Sequence, residues 1–171
     1  MLGVTDTCFL VDWARFGKKD CIKQIFNRLL ITEEVLKEIE SESTISLVTE
    51  WLVDGFLYLV PVSPIDYAEV DRISRIIADL PQIPTEVEKP ELICLVLAKK
   101  YNCILLTENI GAIRITQWMD EYKEVRVWRA IEVLKEAIKN NILTGKSLDI
   151  YKEYQIQTKH TFPKKDIMRL E

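Results

Sequence analysis

The chain has 171 residues, of which 48% are hydrophobic, so its size and composition fit one domain with its own core. The longest uninterrupted apolar run covers residues 92–98, far short of the roughly 20 residues that cross a bilayer, and the first residues lack a signal-peptide pattern. We therefore expect a cytoplasmic protein without a membrane segment. The net charge of −4 argues against a protein that binds nucleic acid non-specifically. The four cysteines include no C-x-x-C pair, which argues against a disulfide scaffold or structural zinc.

The first part of the chain predicts strands that alternate with helices. Residues 2–6 form a short strand, and Thr7 then caps a helix with one apolar face. A helical repeat after Lys19 leads to a second short strand at residues 30–31. Thr32 caps the next helix, which carries two glutamates in its first turn.

The alternation continues through the rest of the chain. A strand over residues 56–62 precedes a helix over residues 67–80, and residues 80–90, with three prolines, form a loop. Residues 90–100 open with a proline and are apolar almost all round, so they predict an internal helix. The remaining elements are strands over residues 103–107 and 125–127, a helix over residues 130–141 and a basic helical extension from about residue 146.

This alternation predicts an α/β fold with a parallel sheet that is covered by helices on both faces. Neither a repeat nor a long linker divides the sequence, so we expect a single domain over residues 1–171. The five glycines cannot supply either glycine-rich nucleotide-binding motif. In parallel sheets of this kind, ligands bind beyond the carboxyl ends of the strands.

Acidic residues fall at several of these strand ends and helix starts. Asp6 closes the first strand, Glu38 lies at the edge of the apolar face of its helix, and Glu91 is in the first turn of the internal helix. Glu108 and Asn109 directly follow the strand over residues 103–107. Each also has an ordinary interpretation: a solvated helix residue for Glu38, a capping role for Glu91, and a polar loop start for the last pair.

Asp12 has a different environment in the sequence. It lies between the apolar positions of the first helix and three residues before Arg15. We therefore expect an ordinary surface ion pair between these two side chains.

Carboxylates gathered at one edge of a sheet repel one another unless a cation neutralises them. Ligation by oxygen alone suits Mg²⁺ or Mn²⁺. Such an ion lowers the pKa of a bound water and neutralises charge that develops on a phosphodiester. Hydrolysis of nucleic acid is therefore the reaction class that these acidic residues favour.

Three segments match short motifs in a fixed order. "DTCFLVDW" looks like a D-T-[NSC]-apolar-apolar opening, "ITEEVLKEI" like a T-x-x-V-x-x-E segment, and "PELICLVLAKKYNCILLTEN" like an acidic helix followed by a strand ending in L-L-T-[DE]-[DN]. With these motifs, the chain from about residue 2 to residue 127 resembles the PIN-domain family, metal-dependent ribonucleases that often serve as toxins of bacterial and archaeal toxin–antitoxin pairs.

The resemblance implies a three-layer α/β sandwich around a mainly parallel sheet of about five strands. It places Asp6, Glu38 and Glu91 at the first three acidic positions of the family, with Glu108 or Asn109 at the fourth. It implies that Asp6 and Glu91 hold Mg²⁺ or Mn²⁺ and that Glu38 completes or orients the site through water. Glu108 and Asn109 then bind a second ion or position the nucleophile.

The resemblance also implies partners. An endoribonuclease of this family cleaves RNA, and the toxin members form homodimers and bind an antitoxin protein. Arg114, Arg126, Arg129 or the basic tail are the candidate contacts to RNA in this chain. The tail residues are Lys159, Lys164, Lys165 and Arg169.

Two alternatives stay open. The sequence departs from the family pattern at Glu91, where aspartate is common, at Pro90, where glycine is frequent, and at Asn109, where aspartate often stands. The first alternative is therefore a PIN-like module that binds protein or RNA without cleaving. The second is another metal-dependent phosphohydrolase, although Asp6 is not the start of a D-x-D pair.

Overall fold

The computed structural model describes residues 1–80, 87–163 and 166–167. Its centre is an all-parallel sheet of five strands in the order β3-β2-β1-β4-β5. The strands are β1 Leu2–Thr5, β2 Arg28–Ile31, β3 Leu57–Leu59, β4 Ile104–Leu106 and β5 Val127–Trp128. This architecture confirms the predicted α/β class, the parallel sheet and its strand number.

Helices flank the sheet. They are α1 Thr7–Trp13, α2 Glu33–Glu38, α3 Glu42–Val53, α4 Pro64–Ala78, α5 Lys89–Lys100, α6 Ile110–Trp118, α7 Ala130–Lys139 and α8 Ser147–Thr158. The helix predicted after Lys19 is a 3₁₀ segment over Lys19–Gln24, and a second 3₁₀ turn covers Asp120–Tyr122. α8 begins where the helical extension was predicted. No helix among these described residues is long and apolar enough to cross a membrane.

The first helix starts differently from the prediction. Asp6, not Thr7, is its N-cap, because the Asp6 carboxylate accepts a hydrogen bond from the Phe9 N–H at 2.9 Å. The prediction that Thr7 caps this helix is wrong. The prediction for Thr32 is confirmed, since its hydroxyl accepts from the Val35 N–H at the start of α2.

The centre of the core is α5. Every residue of its segment 92–98 is buried, as its nearly uniform apolar sequence predicted. The strand β1 approaches its neighbour closely, and a Cβ added at Gly3 would lie 2.9 Å from the Leu29 Cδ2 atom. Glycine at this position therefore lets the two central strands pack together.

Aromatic side chains attach the C-terminal helix α8 to α1. Tyr154 lies 5.8 Å from Trp13 and 5.1 Å from Phe16, and it stacks on Phe162 at 5.3 Å, measured between ring centroids. The end of the described chain therefore packs against the helix that follows β1. Part of the predicted loop, residues 81–86, lies outside the described residues, as do Lys164, Lys165 and Arg169 of the basic tail.

The Glu69 carboxylate connects α4 with the turn that follows α6. Glu69 accepts hydrogen bonds from the Arg72 Nε and Nη2 atoms and from the Tyr122 hydroxyl, all at 2.7 Å. The hydrogen bonds from Arg72 lower the pKa of Glu69 most, and the pKa falls from 4.5 to about 2 even though burial opposes the change. The ionised carboxylate therefore stabilises the folded chain.

Glu69→Gln should make the stability of the chain less dependent on pH. Because the pKa is lowered on folding, the carboxylate stabilises the fold fully above the ordinary pKa of 4.5, and the contribution is lost as the pH falls towards about 2. We expect the variant to be about 1–2 kcal/mol less stable at pH 7 and the deficit to shrink below pH ~4.5. Urea unfolding across this pH range measures both.

The matched control is Glu33→Gln, which removes an exposed ion pair with Lys37 at 2.9 Å. Both side chains of this pair are about 70% exposed, so the loss should stay below about 0.5 kcal/mol. Equal losses in the two variants would contradict the stabilising role of Glu69.

Candidate functional site

The Asp6 carboxylate is buried at the carboxyl end of β1, with a relative exposure of 1%. One oxygen accepts from the Phe9 N–H at 2.9 Å, and the other accepts from the Thr107 hydroxyl at the end of β4. Burial raises the pKa of Asp6 to about 7, and the negative charges of Glu91 and Glu108 add to the rise against these hydrogen bonds. In the described part of the chain, no cationic side chain forms an ion pair with this carboxylate.

Glu91 in the first turn of α5 faces the same strand ends. Its Oε2 accepts from the Glu88 N–H at 2.5 Å, which is the predicted capping role, and its Oε1 accepts from the Asn109 Nδ2 at 2.6 Å. Asn109 is also the N-cap of α6, where its Oδ1 accepts from the Ala112 N–H at 3.1 Å. Burial raises the pKa of Glu91, and the charges of Glu88 and Glu38 raise it further.

Cys8 joins these two carboxylates. The Cys8 sulfur and one oxygen each of Asp6 and Glu91 all lie within 4.8 Å of one another, a spacing that suits a shared cation. Desolvation raises the pKa of the exposed Cys8 thiol to about 12, and nearby carboxylates, including Asp12 and Glu38, contribute to the rise. Cys8 was not among the predicted site residues; its place two residues after Asp6 was the available signal.

Glu38 reaches the same region through α1. Its Oε2 accepts a hydrogen bond from the Thr7 hydroxyl, so the residue that was predicted to cap α1 instead holds Glu38. The charge of Glu38 acts on Glu91 and on Cys8. Glu38 nevertheless lies outside the group of three residues whose ligand atoms are within 4.8 Å.

Glu108 lies near Asp6 but has other partners. Its Oε1 accepts from the Ala130 N–H at 2.7 Å, at the start of α7, and its Oε2 lies 3.4 Å from the His160 Nε2. Burial raises the pKa of Glu108, opposed by the Ala130 hydrogen bond and by the charges of His160 and Arg129. Its charge is therefore partly compensated, in contrast to that of Asp6.

His160 connects Glu108 with Asp12. The Nδ1 atom of this imidazole lies 2.9 Å from the Asp12 Oδ2, and this hydrogen bond raises the pKa of His160. Asp12 also pairs with the Arg15 Nη1 at 3.9 Å, which confirms the predicted ion pair. The connection to His160 was not predicted, because 148 residues separate the two side chains along the chain.

The acidic residues at the centre of the site have no ionic partner in the described part of the chain. None of the ion pairs found there includes Asp6, Glu38 or Glu91. Oxygen ligands, one of them on a buried carboxylate with a pKa near neutrality, fit a hard divalent cation. The residues present therefore fit the predicted Mg²⁺ or Mn²⁺.

The basic side chains near the site are partly committed to other contacts. Arg129 donates to Glu132 at 3.0 Å and to Asp166 at 2.8 Å. Arg126, in contrast, is exposed. Of the basic residues predicted to contact RNA, Arg129 thus has a structural role in the described part of the chain.

Comparisons with known proteins give matches among solved structures. No protein-family model and no curated protein matches this chain. Among solved structures, the crystal structure of VapBC2 from Rickettsia felis bound to a DNA fragment from their promoter is similar, with a TM-score of 0.48 and 13% sequence identity. The match covers 75% of this chain and 98% of that chain. Similarity at this level establishes neither family membership nor activity.

Asn109→Asp should test whether the carboxylates share a cation. Aspartate keeps an acceptor for the cap of α6 but replaces the donor to Glu91 with another negative charge. In EDTA at pH 7 we expect the variant to be about 1 kcal/mol less stable than the wild type, and Mg²⁺ should remove most of this deficit. Urea unfolding with and without Mg²⁺ measures the change.

Asn109→Ala is the control for this experiment. It removes both the cap and the hydrogen bond to Glu91, at a cost of about 1 kcal/mol, without adding a charge. Mg²⁺ should leave its stability deficit relative to the wild type unchanged. An Asn109→Asp deficit that is equally insensitive to Mg²⁺ would contradict a shared cation.

Proposed function

We propose that this chain is a Mg²⁺- or Mn²⁺-dependent endoribonuclease of the PIN type and that it acts as the toxin of a toxin–antitoxin pair. The observation that carries the proposal is the buried Asp6 carboxylate at the carboxyl end of β1. It lies within ligand distance of Glu91 and has no ionic partner in the described residues. Paired, desolvated carboxylates of this kind are stable when a divalent cation neutralises them.

Asp6 and Glu91 are the proposed ligands, and the other residues keep them in place. Thr107 holds one oxygen of Asp6, and Asn109 orients Glu91. Glu38, held by Thr7, is proposed to complete or orient the site through water. When bound, the cation supplies Lewis acidity, which lowers the pKa of a water ligand and neutralises charge on a phosphodiester.

Glu108 is proposed to contribute to the site through its negative charge. Its contacts with Ala130 and His160 hold the carboxylate beside Asp6, where its negative charge raises the affinity of the site for a cation. Direct ligation by Glu38 and Glu108 stays a prediction. The antitoxin partner and the homodimer also stay predictions of the family resemblance.

A non-catalytic module that binds RNA or protein is the second candidate. Asn109 favours it, because an amide that donates to Glu91 stands where the family often has a carboxylate. A folded protein that binds RNA but does not cleave it with either Mg²⁺ or Mn²⁺ would favour this candidate over the nuclease.

Cleavage of RNA should need both the cation and the buried carboxylate. We expect Asp6→Asn and Glu91→Gln to lower the rate on the order of 100-fold or more, and EDTA to abolish it, because each change removes a cation ligand or the cation. Asp20→Asn, an exposed aspartate that pairs with Lys23 at 3.5 Å, is the matched control and should keep the wild-type rate. Cleavage that survives both EDTA and Asp6→Asn would overturn the proposal.

Binding of Mn²⁺ tests the ligand set without any RNA. In calorimetric titrations we expect Glu91→Gln to weaken Mn²⁺ binding at least about tenfold, because it removes a direct ligand. Glu108→Gln should weaken it less, since Glu108 is engaged by Ala130 and His160. A larger loss in Glu108→Gln than in Glu91→Gln would contradict the proposed ligands.

A further inference from the structure

A cavity of about 340 Å³ lies beside the acidic residues, at the carboxyl ends of β2 and β3. We refer to it as the lateral pocket. Its apolar wall is formed by Leu59 and residues 60–62, and Tyr67 contributes an aromatic side chain. Its polar part consists of Glu33 and Glu34 at the start of α2. An apolar wall with one aromatic ring and few polar groups fits a flat organic group better than a hydrated ion.

Glu34 contributes a carboxylate to the lining of this pocket. Its Oε1 accepts from the Tyr67 hydroxyl, and its Oε2 is buried. Burial opposes ionisation, but the Tyr67 hydrogen bond, with smaller contributions from the Glu34 N–H and the Thr32 hydroxyl, leaves the pKa of Glu34 lowered. An ionised carboxylate accepts hydrogen bonds and donates none, so it favours a ligand that donates a hydrogen bond.

Glu42 supplies a matched control outside the pocket. It is an exposed glutamate in the first turn of α3 and is not among the residues that line the pocket. Its replacement by glutamine removes the same charge without changing the lining.

The helices α2 and α5 each carry one residue near the lateral pocket and one residue of the candidate metal centre. Glu34 and Glu38 are four residues apart on α2, so they lie on one face of the helix with their Cβ atoms about 6 Å apart. On α5, Lys89 precedes Glu91 by two residues, and its ammonium lies 4.9 Å from the centroid of the Tyr67 ring. The aromatic side of the pocket therefore carries a positive charge, which attracts the phosphates of a bound strand.

We propose that the lateral pocket binds a nucleobase with an exocyclic amino group and that the Glu34 carboxylate accepts a hydrogen bond from that group. Single-stranded RNA is read by proteins that stack its bases on aromatic side chains and bond their exposed edges. Cytosine presents an amino donor where uracil presents a carbonyl acceptor, so the carboxylate favours cytosine and rejects uracil. The proposal rests on the proposed function for its substrate, and it adds base selection to that site.

Binding of short RNA strands tests this inference separately from cleavage. The probes are fluorescein-labelled hexamers of cytidine and of uridine, and EDTA prevents hydrolysis during anisotropy titrations. We expect the wild type to bind the cytidine hexamer about three- to tenfold more tightly, the size of one net hydrogen bond. Glu34→Gln should reduce this ratio to less than about twofold, because a carboxamide can accept from cytosine and donate to uracil. Glu42→Gln should leave the ratio unchanged.

A modified probe repeats the test with the unchanged protein. A hexamer of N4,N4-dimethylcytidine keeps the ring but lacks the amino donors, so we expect wild-type affinity to fall to that for the uridine hexamer. Equal affinity of the wild type for the cytidine and uridine hexamers, or equal ratios in Glu34→Gln and Glu42→Gln, would overturn the inference.

The two proposals fail in distinguishable ways. RNA cleavage without a preference for cytidine over uridine would overturn the proposed base pocket and support the proposed nuclease. A cytidine preference that depends on Glu34, in a protein that does not cleave RNA with Mg²⁺ or Mn²⁺, supports the base pocket and removes the nuclease.

Discussion

The structure depends on a buried negative charge at the end of its central strand. Asp6 begins α1 through its hydrogen bond to the Phe9 N–H, and it joins β1 to β4 through the Thr107 hydroxyl. The same burial that makes these contacts firm opposes ionisation, so the pKa rises to about 7. One carboxylate therefore organises the turn from strand to helix, while burial disfavours its charged form.

The parallel sheet explains why residues far apart in the sequence reach this carboxylate. β1 lies at the centre of the five described strands, between β2 and β4, and all of them end at the same edge. The helix α5 packs behind that edge and places Glu91 in its first turn, while Asn109 starts the helix that follows β4. Hydrogen bonds between these polar side chains, rather than a single loop, fix the geometry of the candidate site.

The sequence predicts the parts of this arrangement that depend on local pattern. Alternating apolar segments reveal the parallel sheet and the internal helix, and the position after a buried strand singles out Asp6. Contacts between residues that are distant in the sequence cannot be predicted from local pattern. His160 and Asp12 are separated by 148 residues, and no periodicity of the sequence indicates their contact. Cys8 was missed because a thiol in an apolar segment is usually a core residue, whereas here four carboxylates change its environment. The hydroxyl of Thr7 was assigned to the wrong partner, since Asp6 caps the helix more strongly and frees it to hold Glu38.

The acidic charge of the chain and an RNA substrate are compatible only if phosphate recognition is local. The net charge is −4, and Arg129 is already engaged by Glu132 and Asp166. In the proposed function, a divalent cation at Asp6 and Glu91 therefore supplies much of the positive charge that meets the phosphate, and Lys89 adds a further charge beside the lateral pocket. Because the non-specific attraction to phosphates is weak, contacts with the bases decide where an RNA strand binds. Specificity is the difference in affinity between the correct and the competing complexes. In the proposed function, an acidic nuclease with one selective pocket is therefore better suited to cleaving RNA at a few sites than a basic nuclease is.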